Sequence, residues 1–122
     1  MNDVELSTTS ELAVWQSVED GVDSNGRPLR VDVLICTGEV DIVSEPEFRK
    51  GLERLESLHA VVDLGGVTFI GAAGINALID AAARRGTDAG TLVLRDEPFI
   101  LRRVLSVLDL PNNLILDEPA TD

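Results

Sequence analysis

The chain has little from which to build a catalytic or covalently braced protein. A single cysteine, Cys36, excludes an internal disulfide, and one cysteine with one histidine, His59, cannot make a structural zinc site. With His59 the only imidazole and no G-x-S-x-G elbow, nucleophilic hydrolysis lacks its usual base. Tyrosine is absent and aromatics reach only 3%, so the core has to be filled by Val, Leu, Ile and Ala. No apolar run approaches the roughly 20 residues of a membrane span. Residues 1–23 hold six acids, no base and no continuous apolar stretch. Nothing there reads as a secretory signal, and a cytoplasmic protein is the expectation. Basic residues are also scarce, 10 Lys and Arg against 22 Asp and Glu, for a net charge of −12. That balance argues against nucleic acid and against an anionic membrane as partners. It leaves a basic or mixed-charge protein partner open, although surface acids that keep a small domain soluble account for the number equally well.

What remains, in 122 residues, is room for one domain and one modest core. Residues 1–10 are polar and read as a flexible N-terminus, residues 117–122 form an acidic tail, and a single domain is expected over 11–116.

Hydrophobic periodicity supplies the order of elements. Residues 11–19 alternate loosely and suit an edge strand, with Trp15 half-covered on it. Residues 20–28 are rich in Gly, Asp, Asn and Pro and predict a turn. Residues 29–37 then read as a strand with Val31, Val33 and Ile35 inward and Arg30, Asp32 and Leu34 outward, paired to the first as a hairpin. Ser44 followed by Glu47 is a capping box with Pro46 in the first turn, and Phe48, Leu52, Leu55 and Leu58 continue at helical spacing. Residues 60–64 are almost unbroken apolar, as in a strand buried on both faces, and Gly65-Gly66 ends them. Asp63, the exception, is expected to survive there by accepting hydrogen bonds from a neighbouring loop.

Ile75, Leu78, Ile79 and Ala82 stripe the next helix, with Arg84 and Arg85 in its last turn and Gly86 as C-cap. Residues 91–94 predict a strand. Asp96 and Pro98 open a last helix with Leu101, Val104, Leu105 and Leu108 inward, Pro111 stops it, and residues 114–116 add a short strand. Strands separated by helices pair in parallel through right-handed crossovers. The expected fold is therefore a single α/β domain, its mixed sheet made of an N-terminal hairpin and otherwise parallel strands, packed with about three to four helices.

Two stretches draw attention as sites. Gly71, Ala72, Ala73 and Gly74 form a run of small residues between an apolar strand and the helix that begins near Ile75 and Asn76. No bulky side chain keeps another molecule from the backbone, and no hydroxyl, thiol, carboxylate or imidazole is present for chemistry. A phosphate cradle is a weak alternative, since neither G-x-G-x-x-G nor a P-loop motif occurs; close packing of the helix on the sheet explains the same residues. Glu39 and Asp41 after Gly38 are spaced to face one way, as an acid–base pair or cation ligands would, or as a solvated strand end does. Cys36 reads as a core residue, His59 as a connector, and Arg102 and Arg103 diverge on their helix.

Together these stretches resemble the STAS-domain family, in particular bacterial anti-anti-sigma factors, also called anti-sigma factor antagonists. Gly38-Glu39-Val40-Asp41 is similar to the family's G-E-x-D. The run Val61-Val62-Asp63-Leu64-Gly65-Gly66-Val67-Thr68-Phe69-Ile70-Gly71-Ala72-Ala73-Gly74-Ile75 is similar to its V-x-D-L-S-G-V-x-F-I-D-S-S-G-L. The resemblance implies a bacterial stress-response regulator without enzymatic activity, cofactor or metal. It would bind an anti-sigma factor, a serine kinase of the histidine-kinase-like ATPase type, and so free a sigma factor for transcription. The contact surface it implies is Gly38, Glu39, Asp41, Gly71, Ala72, Ala73, Gly74, Ile75 and Asn76. In switchable relatives the kinase phosphorylates the second serine of D-S-S-G. That position is Ala73 here, which cannot accept phosphate. Control by amount or partner, control at Thr68 (expected to be buried between Val67 and Phe69), or service as a STAS module for a nucleotide, lipid or other partner are the alternatives.

Overall fold

Two stretches rich in Val and Ile set the centre of the sheet. In the computed structural model, which describes residues 4–8, 12–86 and 90–117, β2 (Leu12–Val22) and β3 (Pro28–Val40) pair antiparallel from Leu12↔Gly38 to Val22↔Pro28. The turn between them is closed by Asp23. Its Oδ1 accepts the N–H groups of Asn25 (2.8 Å) and Arg27 (2.9 Å), and Gly26 takes φ 79°, which a side chain would resist. The expected hairpin is present, with strands longer than the sequence suggested.

The remaining elements are β1 (Val4–Thr8), α1 (Glu45–Glu53), β4 (His59–Ile70), α2 (Ala72–Gly86), β5 (Thr91–Arg95), α3 (Phe99–Leu105) and β6 (Leu114–Leu116). The sheet has six strands in the order β1-β2-β3-β4-β5-β6, antiparallel through β3 and parallel from β3 onward. Two expectations at the N-terminus fail together: Val4–Thr8, read as part of a flexible segment, pairs with β2, and β2 is consequently not an edge strand. The acidic tail beyond residue 117 lies outside the described residues.

The parallel strands follow one another without reversing direction, so right-handed crossovers place α1, α2 and α3 on the same face. One core results. Leu12 and Val14 of β2, Leu34 and Cys36 of β3, Val62 and Leu64 of β4, and Leu92 and Leu94 of β5 meet Phe48 and Leu52 of α1, Leu78 and Ala81 of α2, and Leu101 and Leu105 of α3. This phase reverses the one expected for β3. Its core-facing set is Asp32, Leu34 and Cys36, while Val31, Val33 and Ile35 take the other face. Asp32 is only 2% exposed, because its Oδ2 accepts the N–H groups of Glu56 (2.9 Å) and Ser57 (3.0 Å) from the loop after α1. The two loop amides satisfy this buried oxygen. Arg85 of α2 donates to the carbonyls of Leu55 and Ser57 in the same loop, and desolvation lowers its pKa from the ordinary arginine value.

α1 stops at Glu53, so Leu55 is buried from the loop and Leu58 is 48% exposed rather than part of the helical stripe. β4 does not end at Gly65-Gly66 but runs through them, because β3 continues alongside it to the pairs Glu39↔Phe69 and Val40↔Ile70. A Cβ on Gly66 would stand 2.6 Å from Thr37 Cγ2, so this glycine permits the pairing rather than breaking the strand. α3 starts at Phe99 with Pro98 as its N-cap, and Asp96, at φ 56°, makes no side-chain cap. Leu101 and Leu105 face the core, whereas Val104 and Leu108 are 41% and 42% exposed, outside the expected stripe.

Candidate functional site

The ends of β3 and β4 are shaped by glycine and by a buried serine. Gly38 takes φ 105°, and the β3–β4 register slips between Gly38 and Glu39. A bulge of this kind suits glycine and re-aims the residues after it. Glu39 is exposed and Val40 is fully buried. Beyond them Asp41 folds back on its own turn: Oδ1 accepts the N–H groups of Val43 (3.0 Å) and Ser44 (3.0 Å). The Ser44 hydroxyl, wholly buried, donates to the Glu39 carbonyl (2.9 Å) and accepts the Asp41 N–H (3.0 Å).

The capping box read from Ser44 and Glu47 is therefore not formed, since the Ser44 hydroxyl serves the turn behind it and α1 has no side-chain cap. The Asp41 carboxylate likewise is spent on the turn, unlike that of Glu39. What the turn presents outward is Ile42, 82% exposed, and Val43, 67% exposed.

Gly71 joins this turn to α2. Its N–H donates to the Val40 carbonyl (2.9 Å), and its own carbonyl accepts the Ile75 N–H (3.0 Å). The expected loop of small residues is thus mostly helix, because α2 starts at Ala72 and only Gly71 lies outside it. Gly74 is buried, and a Cβ there would lie 2.6 Å from Ile70 Cγ1 and 2.7 Å from Val40 Cγ1. It brings the helix down onto the strand ends. Ala72 and Asn76 are exposed, Gly71 and Ala73 half-buried, and Ile75 is half-buried against the core. Thr68, expected to be buried, is exposed, with its hydroxyl 3.3 Å from the Gly38 carbonyl. Phe69 is 50% exposed, and its ring lies 3.3 Å from where a Gly71 Cβ would stand.

The structure thus brings Gly38, Glu39 and Asp41 beside Gly71, Ala72, Ala73, Ile75 and Asn76 on one rim, with Gly74 beneath it. Ile42, Val43, Ser44 and Phe69 belong to the same rim, and sequence reasoning passed over them. The available signal was a pair of branched apolar residues between Asp41 and Ser44, where a solvated turn has no use for them. No acid lies in the first turn of α2, whose positive dipole end faces the rim.

The other candidates have structural roles. Cys36 is buried, and its thiol pKa is pushed well above the ordinary value, by desolvation first and by the Asp63 carboxylate second. Asp63 accepts the Gly65 N–H (2.9 Å) and pairs with Arg95 (3.0 Å), which also reaches Glu19 (3.0 Å). His59 Nδ1 lies 2.7 Å from the Thr91 hydroxyl, tying β4 to β5. Trp15 is half-buried, Arg102 pairs with Glu97, and Arg103 lies over the Phe99 ring. A cleft of about 220 Å³ lined by Leu52, Ser57, Arg84 and Arg85 sits at the opposite end of the parallel strands from the rim. Among the described residues no group of His, Cys, Asp and Glu is arranged to hold a metal ion, and no helix is long and apolar enough to cross a membrane.

Residues 21–117 match the family model described as Mlab, STAS domain, and the chain belongs to the STAS-domain family. No curated protein matches the sequence. Among solved structures, an anti-sigma factor antagonist from Mycobacterium paratuberculosis superposes with a TM-score of 0.56 at 22% identity, with 90% of each chain covered. The anti-sigma factor antagonist SpoIIAA in its unphosphorylated form gives 0.58 at 11% identity, over 85% of this chain and 90% of that one. The phosphorylated form of SpoIIAA, a Bacillus cell fate determinant, gives 0.58 at 12%, over 84% and 93%. At these identities the likeness is one of fold.

Proposed function

We propose that this chain is an anti-sigma factor antagonist, a cytoplasmic protein without catalysis of its own. It binds a kinase-type anti-sigma factor and so releases a sigma factor for transcription. The observation that carries this reading is the juxtaposition of the Gly38–Glu39 bulge and the first turn of α2, tied by the Gly71 N–H to the Val40 carbonyl. Glu39 and Asn76 offer polar contacts, while Ala72 and Ala73 let a partner backbone come close. Asp41, expected to meet basic groups on the partner, instead holds the turn in shape.

With alanine at positions 72 and 73, the start of α2 has no hydroxyl to phosphorylate, and control lies in the amount of protein or in the partner. The test is a pull-down against each kinase-type anti-sigma factor of the source organism, followed by mass spectrometry after incubation with ATP. Specific capture of one of them, with no phosphate on the chain, is expected. Failure with all of them, while paralogues carrying Asp-Ser-Ser-Gly succeed, contradicts the reading. Phosphate on Thr68, which is exposed, contradicts the absence of a switch.

A further inference from the structure

We infer that Ile42, Val43 and Phe69 form the energetic centre of this contact surface, and that they take a protein partner carrying an apolar recess rimmed by basic side chains. The inference rests on the proposed function and adds the chemistry of its interface. These side chains are 82%, 67% and 50% exposed. All three lie at the same end of the sheet: Phe69 pairs with Glu39, and Ile42 follows two residues after Val40, whose carbonyl holds the Gly71 N–H.

The turn that carries Ile42 and Val43 is fixed before any partner arrives. Three hydrogen bonds from backbone N–H groups to the Asp41 carboxylate and the Ser44 hydroxyl hold it, and Ser44 is anchored to the Glu39 carbonyl. A rigid apolar protrusion loses little conformational entropy on binding, which is the condition for a hot spot. Asp41 and Ser44 are positioning residues for it.

Charge selects the kind of occupant. Exposed Glu39 stands beside Phe69, and the chain carries −12 overall. A second copy would bring like charges together, and an anionic lipid surface would be repelled. A basic rim around an apolar recess satisfies both features.

The experiment measures binding of the kinase-type anti-sigma factor by surface plasmon resonance, using the full chain, an Ile42→Ser/Val43→Ser double variant, Phe69→Ala, Glu39→Gln and Val107→Ser. Val107, 82% exposed just after α3, is the distant apolar control. Because the substituted side chains are solvent-facing, melting temperatures should stay close to the parent's. The double variant and Phe69→Ala should each weaken binding on the order of 30-fold, mainly through faster dissociation. Glu39→Gln should slow association and flatten its salt dependence, and Val107→Ser should change neither rate.

Unchanged binding by both apolar variants overturns the inference while leaving the proposed function standing. Failure of the parent chain to bind overturns both. A parent dimer dissolved by the double variant in analytical ultracentrifugation, or vesicle binding lost with it, assigns the patch to self-association or to lipid and overturns the protein-partner inference. Association indifferent to salt and to Glu39→Gln overturns the basic rim.

Discussion

A few buried polar or polarisable side chains set the local geometry. Ser44 is wholly enclosed, yet its hydroxyl serves two backbone groups of a turn that begins five residues earlier. Ser44→Ala leaves the Glu39 carbonyl and the Asp41 N–H without this partner and should cost about 1–3 kcal/mol of stability in urea titration. An unchanged midpoint would show that the turn holds itself without it. Cys36 makes a second prediction, through pH. Its folded pKa is raised well above the ordinary thiol value, first by burial and then by Asp63. Below that value folded and unfolded chains both hold the proton, and the thiol's contribution is fully present. Above it the unfolded chain releases the proton while the folded chain keeps it, so stability falls by about 1.4 kcal/mol per pH unit. The chain has no tyrosine and only one lysine. Urea midpoints from about pH 8 to about pH 10.5 should show this decline in the parent and little of it in Cys36→Ala. Equal slopes would contradict the assignment.

At the scale of elements, the contact between α2 and the strand ends depends on Gly74. Its missing Cβ admits Ile70 and Val40 at distances no side chain tolerates. Gly74→Val should destabilise by roughly 1–3 kcal/mol through overpacking, whereas exposed Ala72→Ser should stay within about 0.5 kcal/mol, both read from thermal or urea unfolding. If Gly74→Val is neutral, the helix is not seated as described. Much of the element order was legible from periodicity, because the helical stripes and the 60–64 run have few competing readings. The errors share a cause, in that local chemistry was overridden by partners distant in sequence. Gly65-Gly66 looked like a break until β3 extended beside it. Asp32 looked like an outward residue, since its acceptors' partners at 56 and 57 lie 24 and 25 residues away. Ser44 looked like a helix cap because the Glu39 carbonyl is invisible to a forward-looking motif. In the candidate site, the glycines and Glu39 were readable as a pattern, but exposure is a tertiary property, and Ile42, Val43 and Phe69 were passed over.

At the scale of the molecule, the strand order puts every crossover helix on one face and so gathers the β3–α1 turn and the start of α2 at one end. That end combines an apolar protrusion, an exposed acid and a helix start bearing two small alanines. The surrounding charge of −12 disfavours nucleic acid and a second copy there, and favours a basic protein face. The central claim is that this surface binds a kinase-type anti-sigma factor and offers that kinase no means of ending the contact. Calorimetric titration of the anti-sigma factor into the chain, before and after prolonged incubation with ATP, tests it most directly, with Ala73→Ser alongside. The account predicts tight binding by the parent chain that ATP leaves unchanged, and binding by Ala73→Ser that ATP abolishes as phosphate is added at the start of α2. No binding by the parent chain, or a parent complex lost after incubation with ATP, would contradict it.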